Sequence, residues 1–176
     1  TEINPRNTDV DDKTKASFVP MTLITTSYDG VHDSESRPWS EIKKGYTHFA
    51  NGDIAIAKIT PCFENSKAAI FRNLENGIGA GTTELHVARP FGDQIESNFL
   101  LLYFKSPNFL TMGQKLMTGS AGHKRVPRSF FESNPIPLPP LAEQKRIVSK
   151  VDELMLLCDQ LEQQTEASIE AHATLV

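Results

Sequence analysis

The apolar residues of this chain follow two different periods. In residues 52–60 both alternating sets are largely apolar, which indicates a strand buried on both faces, and residues 17–25, 68–71 and 82–88 also have strand composition. From residue 141 onward the apolar residues recur every three or four positions, which is the period of a long helix. Since the strands precede the helices without regular βαβ alternation, the pattern predicts an α+β fold with a mixed sheet.

Shorter helices and several loops are expected between these segments. The expected helices are residues 98–105 with Ser97 or Asn98 as the cap, residues 107–117 after Ser106, and a helical or turn segment at residues 128–133. Residues 26–39, 76–81 and 118–125 are rich in polar or small residues, so we predict loops or turns there.

A stiff segment separates the two parts of the chain. Residues 134–140 contain four prolines. Proline fixes φ and removes a backbone donor, so residues 134–139 are expected to be extended, whereas Pro140 suits the first turn of a helix. We therefore predict a globular domain at residues 1–140 and a projecting helix at residues 141–176.

The predicted helix carries an apolar stripe that it cannot bury alone. Its heptad-like seam consists of Ile147, Val151, Leu154, Cys158 and Leu161, and a flanking row contains Leu141, Val148 and Met155. We therefore expect the helix to pack as a coiled coil against a partner helix. An acidic row follows at spacings of three and four: Asp159, Glu162, Glu166 and Glu170. This row is either a solvated face or a docking surface for a basic partner.

The acidic excess of the chain lies in this helix. The net charge is −4, and the residues from 141 onward include three basic and seven acidic ones, so the preceding part is neutral. Within that part no Asp or Glu occurs between Glu96 and Glu132, whereas five Lys or Arg residues do. This interval either faces a phosphate backbone or is a solvated surface that lacks acids.

Composition also bears on the compartment. Cys62 and Cys158 provide neither a disulfide framework nor a Cys-rich metal site, which favours a reducing cytoplasm. The longest apolar runs are too short to cross a bilayer, and residues 1–6 have no signal pattern. The sequence begins with Thr1 and not with Met, so we expect a chain that has been cut or processed.

Several segments together resemble a known family. They are residues 44–53 (KGYTHFANGD), 57–65 (AKITPCFEN), 76–87 (NGIGAGTTELHV) and 138–148 (LPPLAEQKRIV), the last continued by residues 151–162 (VDELMLLCDQLE). The chain resembles the specificity (S) subunit of type I restriction–modification systems, and within it one target recognition domain with its following spacer helix. The proline-rich segment with AEQKRI is the most specific part of the likeness.

The resemblance implies a domain that reads one half of a bipartite DNA sequence, and a helix that fixes the distance to a second reader. It implies no catalysis and no cofactor in this chain, because a separate modification subunit methylates adenine and a restriction subunit cleaves. A full subunit has two recognition domains and two helices, so this chain is either a half-subunit that forms a homodimer through its helix or a fragment. The implied partners are double-stranded DNA, the modification subunit and, through the complex, the restriction subunit, in a prokaryotic cytoplasm.

The candidates for DNA contact are positive and polar side chains on short loops, since such donors bind base edges and phosphates. They are Ser120, His123, Lys124, Arg125 and Arg128 in or after the loop at residues 118–125, then Lys58 and Lys67 around a second loop, and Arg37 in the first polar loop. Lys58 lies near the end of a buried strand, so it must point outward or meet an anionic partner.

Enzymatic interpretations find weak support in the sequence. Asp53, Glu64 and Lys67 loosely match a metal-dependent nuclease, but their spacing is one residue too long. Residues 134–137 match a methyltransferase motif without its aromatic residue, and the glycine-rich residues 77–81 do not open a clear helix. The histidines lack ligand spacing, so we predict no metal. A DNA-independent interaction module remains open as a non-enzymatic alternative.

Overall fold

The computed structural model describes residues 1–120 and 122–174, with side chains up to Ile169. They form two compact units, Thr1–Leu138 and Pro139–Val176. The described strands are β1 (Glu2–Ile3), β2 (Lys15–Val19), β3 (Glu35–Pro38), β4 (Thr47–Ala50), β5 (Ile54–Ala57), β6 (Ala68–Ile70), β7 (Ile78–Gly81) and β8 (Leu85–Arg89). The described α-helices are α1 (Trp39–Ile42), α2 (Ser97–Lys105), α3 (Pro107–Lys115), α4 (Arg128–Ser133) and α5 (Leu141–Thr174). All of them except α5 belong to the first unit.

Two four-stranded sheets form the first unit. One has the strand order β1-β8-β5-β6 and is antiparallel throughout. The other has the order β3-β2-β7-β4, in which β2 and β7 run parallel and the other pairs run antiparallel. A mixed sheet with helices that follow later in the chain confirms the predicted α+β class.

Strand β5 lies between two parts of the core. Ile54 and Ile56 point to one face, where they pack in a cluster with the aromatic residues of α2, α3 and α4. Ala55 and Ala57 point to the other face and pack with Phe49 of the second sheet. All four residues of β5 are buried, which confirms the predicted strand with two buried faces.

The prediction of a turn at residues 76–81 is wrong from residue 78 onward, because Ile78–Gly81 form β7, an interior strand of the second sheet. A Cβ atom on Gly81 would collide with the backbone carbonyl oxygen of Val19 in β2, and one on Gly79 would collide with the ring of Phe49. That ring stacks on Phe71 with the two centroids 3.6 Å apart. The glycines therefore allow the close approach of an aromatic ring and of the backbone of β2, and they do not mark a change of chain direction.

Other boundaries also differ from the sequence prediction. The strand expected at residues 17–25 corresponds to β2, which ends at Val19 because Pro20 leads into a short 3-10 turn. The predicted loop at residues 26–39 contains β3. Neither Ser97 nor Asn98 caps α2: the side chain of Glu96 accepts from the N–H of Phe99 at 2.7 Å. The predicted extent of α4 agrees with the structure.

The second unit begins at Pro139, the third of the four prolines, and consists mainly of α5. The carbonyl oxygen of Pro140 accepts from the N–H groups of Glu143 and Gln144 at 2.8 and 3.1 Å, so the helix begins just after this proline. A long helix after the proline-rich segment is thereby confirmed. Its packing as a coiled coil stays a prediction. In residues 1–120 and 122–174 no helix is long and apolar enough to cross a membrane.

Candidate nucleic-acid interface

Residues 118–120 and 122–125 belong to a loop whose two ends are joined by hydrogen bonds. Thr118 and Arg125 pair as an antiparallel bridge, with N···O distances of 3.0 and 2.8 Å, and the N–H of His123 donates to the carbonyl of Ser120 at 3.0 Å. Arg125 also bridges to Ile59, which follows the end of β5. Two neighbouring segments thus hold the backbone of Arg125.

Gly119 allows this loop to close. Its φ is +122°, a region that favours glycine, and a Cβ atom there would lie 2.7 Å from the carbonyl oxygen of His123. The tight closure leaves the side chains of Ser120, His123 and Lys124 exposed. They are therefore accessible to a large partner.

The guanidinium of Arg125 is paired with the carboxylate of Glu84. Its Nε and Nη2 donate to Oε2 and Oε1 at 2.8 and 2.7 Å, and its Nη1 donates to the carbonyl of His123 at 3.1 Å. The hydrogen bond to Arg125 lowers the pKa of Glu84 and raises the pKa of Arg125. Both groups are therefore charged, and together they are neutral.

A polar cavity of about 330 Å³ is lined by Thr83 and Leu85, the residues on either side of Glu84 in the chain. Three cationic side chains line it, Arg6, Lys58 and Arg128, together with the polar residues Tyr46, Thr47 and Thr83. Burial lowers the pKa of Lys58, Glu84 raises it and Arg125 lowers it. Arg128 has Glu132 as a partner at 2.7 Å, but more than half of its side chain is exposed. The arrangement suits a polyanion with hydrogen-bond acceptors.

Two buried histidines support this surface as neutral groups. Burial lowers the pKa of His48, which lines the cavity, although the Lys43 carbonyl raises it and Arg6 lowers it further. Burial also lowers the pKa of His86 to about 4. Neither histidine adds positive charge to the interface near neutral pH.

The acids that suggested a nuclease have structural partners. Arg89 donates to Asp53 from Nε at 2.9 Å and from Nη2 at 2.8 Å, and the N–H of Ala50 donates to the same carboxylate at 2.7 Å. The hydroxyl of Thr60 donates to Glu64. Over the part of the chain that the structure describes, no group of three or more His, Cys, Asp or Glu is placed to hold a metal ion.

Comparison with known protein families identifies the type of this domain. The family described as "Type I restriction modification DNA specificity domain" matches residues 2–171. The chain belongs to this family. The resemblance noted in the sequence is thereby confirmed.

Two relatives from Escherichia coli match nearly the whole chain. The chain is 66% identical over 175 residues to the type I restriction enzyme EcoAI specificity subunit and 61% identical over 174 residues to the EcoEI specificity subunit. Each match covers 99% of this chain, but only 30% and 29% of those relatives. The chain thus spans less than a third of their length.

Solved structures share the fold of this specificity domain. The HsdS subunit from Thermoanaerobacter tengcongensis matches with a TM-score of 0.68 and 23% identity, over 85% of this chain and 38% of that one. A chain from work on complex assembly and conformational transition of the type I R-M system matches with a TM-score of 0.68 and 22% identity, over 86% and 38%. At such identities the likeness concerns the fold.

The specificity domain brings together most of the side chains predicted for DNA contact. Lys58 and Arg128 line the cavity, and Arg125 is tied to Glu84, whose backbone carbonyl accepts from the N–H of Lys58 at 2.9 Å. Ser120, His123 and Lys124 lie on the loop that ends at Arg125.

Lys67 and Arg37 do not line this cavity. Lys67 is half-buried, and its backbone pairs with Ala57 and Cys62. Arg37 lies on β3, at the opposite edge of the second sheet from β4, where it pairs with Glu35 and stacks over Phe18 at 3.9 Å.

Sequence reasoning missed four members of the surface, which are Arg6, Tyr46, Thr47 and Glu84. Arg6 lies in an opening segment whose composition is typical of a turn. The best available signal was the neutral charge of the part before residue 141, since balanced charges indicate that cations there have carboxylate partners. That balance does not say which carboxylate pairs with which cation.

Proposed function

We propose that this chain is a DNA-sequence recognition unit of a type I restriction–modification complex. Residues 1–140 read one half of a bipartite target, and residues 141–176 act as a spacer helix. The observation that carries the proposal is the gathering of Lys58, Lys124 and Arg128 with Arg125 around one loop and one cavity. This cluster forms although the whole chain has a net charge of −4.

The cluster offers both kinds of contact that sequence-specific binding requires. Lysines that have no carboxylate beside them attract phosphates and place the protein on the duplex. Within the described part of the chain, Lys124 forms no ion pair and its side chain is exposed. Donors on a short loop, such as those of Ser120 and His123, can reach base edges.

The chain itself is proposed to be non-catalytic and to need no cofactor. Asp53 is held by Arg89, and its carboxylate is buried. Methylation and cleavage are assigned to the modification and restriction subunits, which this chain meets in the complex, in a prokaryotic cytoplasm. The purified chain, given duplex DNA with Mg²⁺ and S-adenosylmethionine, is expected to leave it uncut and unmethylated. Cleavage that Asp53→Ala abolishes would favour a nuclease instead.

The apolar stripe of α5 supports a helical partner. Ile147 and Val151 are half-buried, whereas Leu154 and Leu161 are 49% and 63% exposed and Cys158 is also exposed. A second helix would remove this surface from water. The partner is a second copy of the chain, if the chain is a natural half-subunit, or a matching helix of the assembled complex.

Salt dependence of duplex binding tests the DNA-reading proposal. Lys124→Ala should weaken binding and lower the slope of log K against log salt by about 0.9, because it removes a phosphate contact. Lys58→Ala and Arg128→Ala should lower the slope by less, because Glu84 and Glu132 partly compensate these two cations. Fluorescence anisotropy titrations between about 50 and 200 mM salt measure that slope. Arg37→Ala is the matched control, since it removes an arginine from β3 and should leave the slope unchanged.

Two outcomes would contradict the DNA-reading proposal. Unchanged slopes in all three variants would place the interface elsewhere. Absence of any duplex affinity, even with the modification subunit present, would favour the DNA-independent interaction module.

A further inference from the structure

The guanidinium of Arg125 uses three of its N–H donors within the protein. A guanidinium has five N–H donors. Two of them, on Nε and Nη2, are taken by Glu84, and one on Nη1 is taken by the carbonyl of His123. One donor therefore remains on each terminal nitrogen. The Arg125 side chain is 44% exposed, whereas Glu84 is 25% exposed, so the pair presents its arginine to solvent.

The charge of this arginine is already compensated. Glu84 and Arg125 form a neutral pair, so Arg125 attracts a phosphate less than a free cation would. Its remaining donors keep their direction and their hydrogen-bonding capacity. Lys124, next to it, has the opposite properties: it is an exposed charge on a flexible stem. The two neighbours are thus suited to different tasks, Lys124 to phosphate attraction and Arg125 to directional recognition.

Both partners of the pair are fixed before any ligand arrives. The backbone of Arg125 bridges to Ile59 on one side and to Thr118 on the other. The backbone carbonyl of Glu84 accepts from the N–H of Lys58 at 2.9 Å, and its N–H donates to the hydroxyl of Thr82 at 3.2 Å. Such preorganisation reduces the entropy lost on binding and favours a ligand with one matching pair of acceptors.

We propose that Arg125 reads a guanine in the major groove, donating from its two terminal nitrogens to O6 and N7, and that Glu84 is its positioning residue. Guanine is the base that presents two adjacent acceptors there. Adenine presents an acceptor and a donor, so its amino group would face a donor of Arg125. This inference rests on the proposed DNA-reading function and specifies one base that the chain recognises.

Selection from random duplexes tests this assignment. The chain is used with the modification subunit of its own system, as wild type and as Arg125→Lys and Glu84→Gln, which keep the size of each side chain. The wild type should enrich a motif that contains a required guanine. Both variants should lose preference at that one position by roughly 5- to 150-fold and keep the other positions. Glu35→Gln and Arg37→Lys, in the exposed Arg–Glu pair on β3, should change nothing.

A modified base separates recognition from a general structural effect. Replacing the enriched guanine by 7-deazaguanine removes N7 but leaves base pairing intact, so wild-type affinity should fall. The same replacement should have little further effect on Arg125→Lys, because the two changes remove one interaction. Glu84→Gln should also raise the salt slope by about 0.9, since it releases an uncompensated cation.

Other outcomes would overturn the assignment. If the variants lower affinity equally for all sequences, Arg125 contacts a phosphate rather than a base. If the lost position is not a guanine, or if 7-deazaguanine weakens Arg125→Lys as much as wild type, the reader is another residue. If the wild type enriches no motif, the proposed function itself fails, and this result is distinct from the others.

Discussion

At the scale of single residues, His86 shows how its partners fix a protonation state. Its Nδ1 lies 3.3 Å from Nδ2 of Asn4, and its Nε2 lies 3.2 Å from the carbonyl oxygen of Val126. The N–H of Val87 donates to Oδ1 of Asn4 at 2.9 Å, which turns the NH₂ group of Asn4 toward the histidine. Nδ1 therefore accepts and Nε2 donates. A second proton would place two donors face to face.

His86 should make the protein less stable in mild acid. Burial lowers its pKa from 6.5 to about 4, so between these values the unfolded chain binds more protons than the folded one. The free energy of unfolding therefore falls as the pH falls, by about 2 kcal/mol from His86 alone between about pH 7 and pH 5. Urea unfolding of His86→Gln should show a pH dependence that is smaller by this amount. Equal pH dependence in the wild type and in His86→Gln would contradict the assignment.

The sequence predicted which cations gather, but not what holds them. The interval without acids drew attention to Lys124, Arg125 and Arg128. The carboxylate that orients Arg125 belongs to Glu84, which lies 41 residues earlier and outside that interval. The two meet because β8 lies beside β5 in the first sheet. Local composition does not encode strand order, so such pairs become visible only in the fold.

At the scale of elements, α3 contacts the loop between β5 and β6 at Gly113. A Cβ atom there would collide with the ring of Phe63 and lie 3.3 Å from the ring of Phe130. Phe63 is completely buried and has little room to move. The helix therefore depends on the absence of a side chain at this position.

Gly113→Ala should destabilise the protein although alanine is the better helix former. Helix propensity favours alanine by about 1 kcal/mol, whereas overpacking of a tight core costs about 1–3 kcal/mol. We expect a net loss of about 1 kcal/mol, measurable as a lower midpoint in urea with an unchanged m-value. Gln114→Ala, at the exposed neighbouring position, should be neutral or slightly stabilising. A gain in stability for Gly113→Ala would mean that Phe63 moves aside.

Elements with a clear apolar period could be predicted from the sequence. Elements that depend on contacts with distant residues could not. The apolar run of β5 and the long period of α5 come directly from residue spacing. Strand β7 is rich in glycine, and its composition is typical of a turn. Its place inside a sheet depends on distant residues: the ring of Phe49 lies where a side chain at Gly79 would stand, and the carbonyl of Val19 lies where one at Gly81 would stand.

At the scale of the whole molecule, α5 exposes apolar side chains that a partner helix could bury. Leu154, Leu157 and Leu161 are about half exposed or more. Burying a leucine side chain contributes about 1.5–3 kcal/mol, so several of them together favour stable association. The acidic residues of α5 lie among and beside these leucines, which limits the partners to helices that leave the carboxylates in water.

Leu154→Glu should therefore weaken assembly by at least about tenfold, because it removes apolar contact and buries a charge. Sedimentation velocity of the chain, alone and mixed with the modification subunit, measures the effect. Gln163→Glu is the matched control: it adds the same charge to the same helix, but Gln163 lies opposite the apolar stripe, so assembly should be preserved. A wild-type chain that stays monomeric alone and assembles equally well after Leu154→Glu would contradict a role of the stripe. Selective loss in Leu154→Glu would instead identify α5 as the surface on which the recognition unit is joined to the rest of its complex.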